Sequence, residues 1–219
     1  MRILVVSPHP DDETLGAGGT LLKMKKEGHQ IFWLNITDIK LEDGWEDARI
    51  QHRQSQIEAI RSFFGFDGFF NLKYPPTRLR GLEEGELIAS IRSVFEVIKP
   101  EWLMIPGQYD AHSDHHVVYN CCMACAKSFR APYIRRITTM EILSETEQGY
   151  QFEKFSPNLF VDISNEMEGK LEAMRIYDTE IEDTPFPRNI DGIQSLARFR
   201  GGRIFVDYAE AFCCVLQKE

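Results

Sequence analysis

The sequence predicts an α/β fold: a mainly parallel sheet with helices on both faces. Short continuous apolar runs alternate with segments of helical periodicity through the first 127 of its 219 residues. The links between them are short, as in doubly wound folds, which makes the expected architecture Rossmann-like.

Ile3-Leu4-Val5-Val6 is the first strand, and Leu15, Leu21, Leu22 and Met24 mark one face of a helix after a loop rich in Pro and Gly. Ile31-Phe32-Trp33-Leu34 repeats the strand, and residues 47 to 64 form a helix with Ile50, Ile57, Ile60 and Phe64 inward. A weak strand near Gly68 to Leu72 leads through Tyr74-Pro75-Pro76 to a helix carried by Leu87, Ile91, Val94, Phe95 and Ile98, which Lys99-Pro100 ends. Trp102-Leu103-Met104-Ile105 is a buried strand, followed by a polar loop and a helix from about Asp114 to Lys127. After Pro132 the pattern changes to two strands, Thr138 to Leu143 and Leu159 to Ile163, and a helix over 165 to 178. Residues 183 to 189, with Pro185 and Pro187, form a loop that reads equally as a flap over a site or as a plain connector. One α/β domain over 1–219, with a small C-terminal extension packed on the sheet, is expected.

Hydrophobic residues at 43% and charged residues at 27% are ordinary for a globular chain, and the formal charge of -9 argues against a broad nucleic-acid footprint. The first apolar run is too short for a signal-peptide core, and no stretch is long enough to span a bilayer. A cytoplasmic protein follows as the expectation, with assembly into a homo-oligomer as a general prior for intracellular enzymes. Cys121, Cys122, Cys125, Cys213 and Cys214 read as small buried side chains rather than as zinc ligands, and they suggest no disulfide framework.

The chemistry concentrates in two loops. Ser7-Pro8-His9-Pro10-Asp11-Asp12-Glu13 lies where the first strand ends and the first helix begins, the place where ligands bind in open α/β sheets. One acidic residue there is accounted for by helix capping; two consecutive Asp residues beside a proline-flanked His exceed what a cap needs. Asp110-Ala111-His112-Ser113-Asp114-His115-His116 occupies the equivalent position after the strand at 102 to 106. His112 and His115, three apart at a helix start, face one side. Imidazoles and carboxylates from two loops suit a divalent ion such as zinc, and a metal with an open position points to hydrolysis of an acyl or phosphoryl bond.

Pro8-His9-Pro10-Asp11-Asp12-Glu13, continued by Thr14-Leu15-Gly16-Ala17-Gly18-Gly19, resembles the signature of the PIG-L/LmbE-like N-acetylglucosaminyl deacetylase family. So does His112-Ser113-Asp114-His115, and Arg198-Phe199-Arg200-Gly201 with Tyr208-Ala209-Glu210-Ala211-Phe212 resembles its C-terminal segment. The resemblance implies a hydrolase that removes the acetyl group from an N-acetylated amino sugar conjugate. It implies Zn2+ or another divalent ion held by His9, Asp12 and His115, with Asp11 as general base. It also implies a charged His112 stabilising the oxyanion, Asp114 orienting or tuning that imidazole, and Arg53 reaching the substrate from the second helix, where a solvated arginine is the even alternative. Pro76 stands where the family often has an aspartate that contacts a sugar hydroxyl, and Phe205 replaces a small residue, which bears on packing or the pocket wall.

Two rival functions keep part of this evidence. A metal-dependent phosphoesterase usually wants two metals and more ligands than are counted here. A non-catalytic sugar- or nucleotide-binding module would use Gly16 to Gly19 as a phosphate cradle at a helix N-terminus, although the spacing fits neither standard glycine motif.

Overall fold

The computed structural model of the chain describes residues 1–149 and 154–219. Its strands are β1 (Arg2–Ser7), β2 (Gln30–Thr37), β3 (Gly68–Tyr74), β4 (Trp102–Ile105), β5 (Arg136–Met140), β6 (Leu159–Asp162) and β7 (Ala209–Gln217). The helices are α1 (Asp12–Lys26), α2 (Asp47–Phe64), α3 (Glu84–Ile98), α4 (Ser113–Cys125), α5 (Met167–Ile176) and α6 (Ile190–Gly202). The sheet runs β3-β2-β1-β4-β5-β7-β6, with the first five parallel and β7 antiparallel to both its neighbours.

Strand alternation divides the core in two. Ile3 and Val5 of β1, Ile31 and Trp33 of β2, and Trp102 and Met104 of β4 pack with α1, α2, α5 and α6. The intervening Leu4, Val6, Leu34, Leu103 and Ile105 pack with α3 and α4 on the other face. A strand covered on both faces must be apolar at every position, which is why these runs lack polar alternation. Cys121, Cys122 and Cys125 lie in the second cluster, and burial pushes their thiols up.

Sequence periodicity carries the first four strand-helix pairs with small boundary shifts, whereas α6 and β7 are elements it does not predict. Asn189 caps α6 by accepting from the Gly192 N–H at 2.7 Å, and Ile193 and Ala197 point to the core. β7 enters the sheet between β5 and β6, a place that only tertiary pairing decides.

Gly16 and Gly19 bring α1 close against the sheet. A Cβ on Gly16 would lie 2.7 Å from the Met140 Cβ, and one on Gly19 would lie 2.7 Å from the Ile163 Cδ1. These glycines are buried packing positions inside the helix and leave no room for a phosphate cradle.

The C-terminal motif acts on the same helix. The Glu210 carboxylate accepts the N–H groups of Gly19 at 2.9 Å and Thr20 at 2.7 Å and pairs with buried Lys170 at 2.6 Å. Lys170 also donates to the Leu15 carbonyl at 2.7 Å, so the pair straps α1 to β7 and α5. Removing one member strands a buried charge. Glu210→Ala is expected to cost about 3–5 kcal/mol in urea unfolding, and the joint change with Lys170→Met less than the sum of the two single losses. Additive losses would show that the two charges are not coupled.

Candidate active site and metal centre

The strand order reverses between β1 and β4, so the loops leaving these neighbours open side by side at their carboxyl ends. His9, Asp11 and Asp12 come from the first loop and His112, Asp114 and His115 from the second. Both loops end in helix N-termini, at Asp12 and Ser113.

His9, Asp12 and His115 offer donor atoms that lie within 4.8 Å of one another. The Asp12 Oδ2 is 3.5 Å from the His9 Nδ1 and 3.3 Å from the His115 Nε2. Each imidazole spends its other nitrogen on a carboxylate: the His9 Nε2 on Asp114 at 3.2 Å, and the His115 Nδ1 on Asp110 at 2.8 Å. Once both rings are neutral, protons held on those outer nitrogens leave the inner ones as lone pairs facing Asp12, the tautomers a metal requires. The His115 Nε2 is wholly buried and makes no hydrogen bond. An orphaned buried nitrogen aimed at a carboxylate and a second imidazole fits a divalent ion.

A second donor group, His9, His112 and Asp114, shares His9 with the first. Its carboxylate is already engaged, accepting from the N–H groups of Thr77 at 2.7 Å and Leu79 at 3.2 Å. The first group is therefore the stronger metal site.

Two expected roles take a particular form here. The Asp114 carboxylate bonds to His9, and it is the Asp114 backbone N–H that meets the His112 Nδ1, at 3.1 Å. His112 caps α4 through that bond, so its ring is held from the helix start rather than by a carboxylate. Burial and the neighbouring His9 and His115 push His112 down to about 4, with Asp114 and Asp12 opposing, a direction that favours the neutral ring over the charged one expected. With Nδ1 accepting, the neutral ring still carries a donor at Nε2.

Asp11 occupies the N-cap of α1 at φ 137°, a backbone region that favours glycine. Its N–H donates to the Glu13 Oε2 at 3.2 Å, and the Glu13 Oε1 accepts from the Tyr177 hydroxyl at 2.8 Å. Burial raises Glu13 to about 7 in spite of these bonds. The Asp11 side chain is buried and meets Arg188 at 3.1 Å. Burial, Asp12 and Glu180 raise its pKa well above the carboxylate range, with Arg188 and Arg53 opposing.

Arg53 lines the cavity rather than the solvated face of α2: it pairs with Glu180 and donates to the Pro10 carbonyl at 3.3 Å. Arg188 brings the 183–189 loop against the site, where its charge and prolines allowed a flap, although its pairing with Asp11 has no local signal. Glu180, Tyr177 and Asp110 also lacked assigned roles; only Asp110, five residues before His115, lay within a motif already singled out. Phe205, 99% exposed, touches no pocket wall. Pro75, Pro76 and Thr77 line the cavity, whose volume is about 560 Å³.

A family model described as PIG-L, GlcNAc-PI de-N-acetylase, matches residues 4–126, which contain both loops. The chain belongs to this family. This PIG-L chain is 25% identical to the diacetylchitobiose deacetylase of Thermococcus kodakarensis, over 95% of its own length and 81% of the relative's. A conserved protein of Thermus thermophilus superposes with a TM-score of 0.79 at 26% identity, covering 99% of this chain and 96% of that one. The N,N'-diacetylchitobiose deacetylase of Pyrococcus horikoshii, in complex with an inhibitor, shares the fold with a TM-score of 0.78 at 22% identity, covering 98% and 84%. Among the described residues of this PIG-L chain, no helix is long and apolar enough to cross a membrane.

The buried charges set a pH dependence for metal uptake. The pairs with Asp114 and Asp12 outweigh desolvation and raise His9 to about 9, while Asp12 and Asp110 do the same for His115. In protein stripped with chelator, both rings therefore carry a second proton at pH 7, on the nitrogen facing Asp12, and zinc must displace it. Apparent zinc affinity is expected to fall at least tenfold for each unit of pH below about 9, with proton release seen by calorimetry in buffers of different ionisation enthalpy. The stripped protein should lose stability from pH 6.5 towards 9, because a raised folded pKa stabilises only while the ring stays protonated. A flat zinc affinity across this range would contradict the assignment of both rings.

Proposed function

We propose that this chain is a zinc-dependent N-deacetylase that removes the acetyl group from an N-acetylated amino sugar conjugate. The observation that carries the reading is the orphaned His115 Nε2 facing Asp12 and His9, one residue from a buried, strained Asp11 in an open cavity. Family membership, and a deacetylase among its relatives, point to the amide bond and to an amino sugar as its carrier.

His9, Asp12 and His115 would hold the ion; two imidazoles and a carboxylate suit zinc. Bound there, it supplies Lewis-acid polarisation of the acyl oxygen and eases deprotonation of water. Asp11 accepts the proton of the attacking water and returns it to the departing amine; burial and the neighbouring Asp12 and Glu180, which raise its proton affinity, favour that acceptance. Arg188 fixes the direction of that carboxylate through the 3.1 Å contact. His112, neutral and fixed by the Asp114 N–H, donates from Nε2 to the oxyanion of the tetrahedral intermediate. Asp110 and Asp114 orient the two ligand imidazoles. Arg53 sits beside Pro10 and contributes to substrate positioning.

Acetate release from a panel of N-acetylglucosamine conjugates by zinc-loaded protein tests the reading. Asp11→Asn is expected to lower kcat by about 10²–10⁴ with zinc stoichiometry unchanged. Loss of zinc together with activity would instead make Asp11 a ligand. His112→Ala is expected to lower kcat by about 10²–10³ with little effect on KM, since the oxyanion forms only along the reaction. An effect confined to KM would place His112 on the ground-state substrate.

A further inference from the structure

Six acids line the cavity, and they differ in what holds them. Asp11 meets Arg188, Asp12 accepts the His9 N–H at 2.9 Å, Asp43 pairs with Arg78, and Glu180 pairs with Arg53. Asp38 is saturated, accepting from the Ile39 N–H at 2.9 Å, Gln54 at 2.8 Å and Asn71 at 2.7 Å. Glu145 is the exception: among the described residues, no donor or cation lies within bonding distance of its carboxylate. Arg188 is near, but its guanidinium is spent on Asp11 and Glu180. Glu145 also lies outside the donor group of His9, Asp12 and His115, so that centre is not its partner.

The turn that carries Glu145 is tightly held. Its N–H donates to the Ile142 carbonyl at 3.1 Å and its carbonyl accepts the Ala111 N–H at 2.9 Å, so both of its backbone groups are fixed. The next residue, Thr146, donates its hydroxyl at 2.9 Å to the Asp110 carboxylate that orients His115. Just before Glu145, Ser144 takes φ 76°, a strained value for a residue with a Cβ, and the Glu147 carboxylate accepts its N–H at 2.8 and 2.9 Å. A rigid turn thus offers the cavity a half-buried carboxylate that the protein leaves without a donor. Such a group costs stability in the free protein, and a donor arriving with the substrate recovers that cost.

We propose that Glu145 is a specificity-determining residue that accepts a hydrogen bond from a ring hydroxyl of the substrate beside the reacting amide. This rests on reading the cavity floor as an amide-hydrolysing centre. It selects among N-acyl compounds: an amino sugar brings hydroxyl donors on the ring that carries the nitrogen, whereas an N-acetyl amino acid brings a carboxylate, which Glu145 repels. Hydrogen bonds to an ionised acceptor are roughly twice as strong as neutral ones. A substrate without the hydroxyl leaves the carboxylate unpaired, and sites built in this way reject such analogues strongly.

Dissociation constants of methyl N-acetylglucosaminide and its 3-deoxy, 4-deoxy and 6-deoxy analogues test it, titrated into zinc-loaded Asp11→Asn protein so that none is consumed. One analogue is expected to bind about tenfold more weakly than the parent sugar. Adding Glu145→Ala should weaken the parent to the level of that analogue and leave the analogue itself unchanged. Glu145→Gln, which keeps an acceptor but not the charge, should leave a smaller gap. An equal loss for the parent and every analogue would show a structural role, and no loss at all would show that no hydroxyl reaches Glu145. Either result overturns the proposal even if the unmutated protein releases acetate from the parent. A gap erased by Glu145→Ala, with no acetate released from any of these sugars, would keep the contact and sink the deacetylase reading. Failure of the parent sugar to bind would count against both.

Discussion

The site is governed by the burial of charge. Asp11, Asp12, Glu13, Asp110, Asp114 and His115 are each 2% exposed or less. Carboxylates withdrawn from water this completely must be met by donors or cations, because an unpaired buried charge costs several kcal/mol. Backbone amides meet much of the demand: Gly107 on Asp110, Thr77 and Leu79 on Asp114, and His9 on Asp12. A Cβ at Gly107 would collide with the Asp110 carboxylate, so this residue is glycine because of how closely that carboxylate approaches. The balance left around Asp12 is negative whenever both ligand imidazoles are neutral, which is the electrostatic case for a divalent cation at that point.

The scaffold makes such a network possible because its parts are held from several directions. Asp114 joins three segments at once: the loop after β1 through His9, the segment after β3 through Thr77 and Leu79, and α4 on which it sits. Asp11 keeps its left-handed backbone because Glu13 accepts its N–H, and Glu13 is anchored in turn by Tyr177 from beyond α5. Strain of this kind, of order 1–3 kcal/mol, persists only where the surroundings over-determine it. The strap from Glu210 and Lys170 holds the middle of α1, the helix whose first turn carries Asp12 and Glu13. The C-terminal segment thus bears on the site through the helix and not through the cavity.

What the sequence showed and what it hid follow from the range of the interactions. Strands β1 to β4 and helices α1 to α4 are legible because apolar spacing is a local signal. The two motif loops are legible because short runs of His and Asp at strand ends are rare without a purpose. α6 also has a local signal in Asn189, Ile193 and Ala197, masked by the two prolines just before it. The placement of β7 between β5 and β6 has none, since an antiparallel insertion is settled by pairing. The same holds at atomic scale: spacing brings His112 and His115 to one side, but cannot tell that Asp114 turns to His9 across 105 residues. Arg188 reaches Asp11 across 177 residues and was equally beyond local reading.

The two ends of the cavity differ in how firmly their charges are tied. At the inner end each cation has a carboxylate within reach: Arg53 and Arg188 share Glu180, and Arg188 also holds Asp11. Changing Glu180, Arg188 or Arg53 alters the proton affinity of Asp11, so the reacting centre resists substitution. At the rim, Trp45, Arg49 and Arg78 project from an exposed turn, the first turn of α2 and the segment after β3, and none of them touches the metal ligands. Their side chains can be exchanged at little cost in stability, because exposed ion pairs and cation–π stacks contribute about 1 kcal/mol or less. A fold arranged in this way can keep one bond-breaking centre and change the molecule that carries the bond.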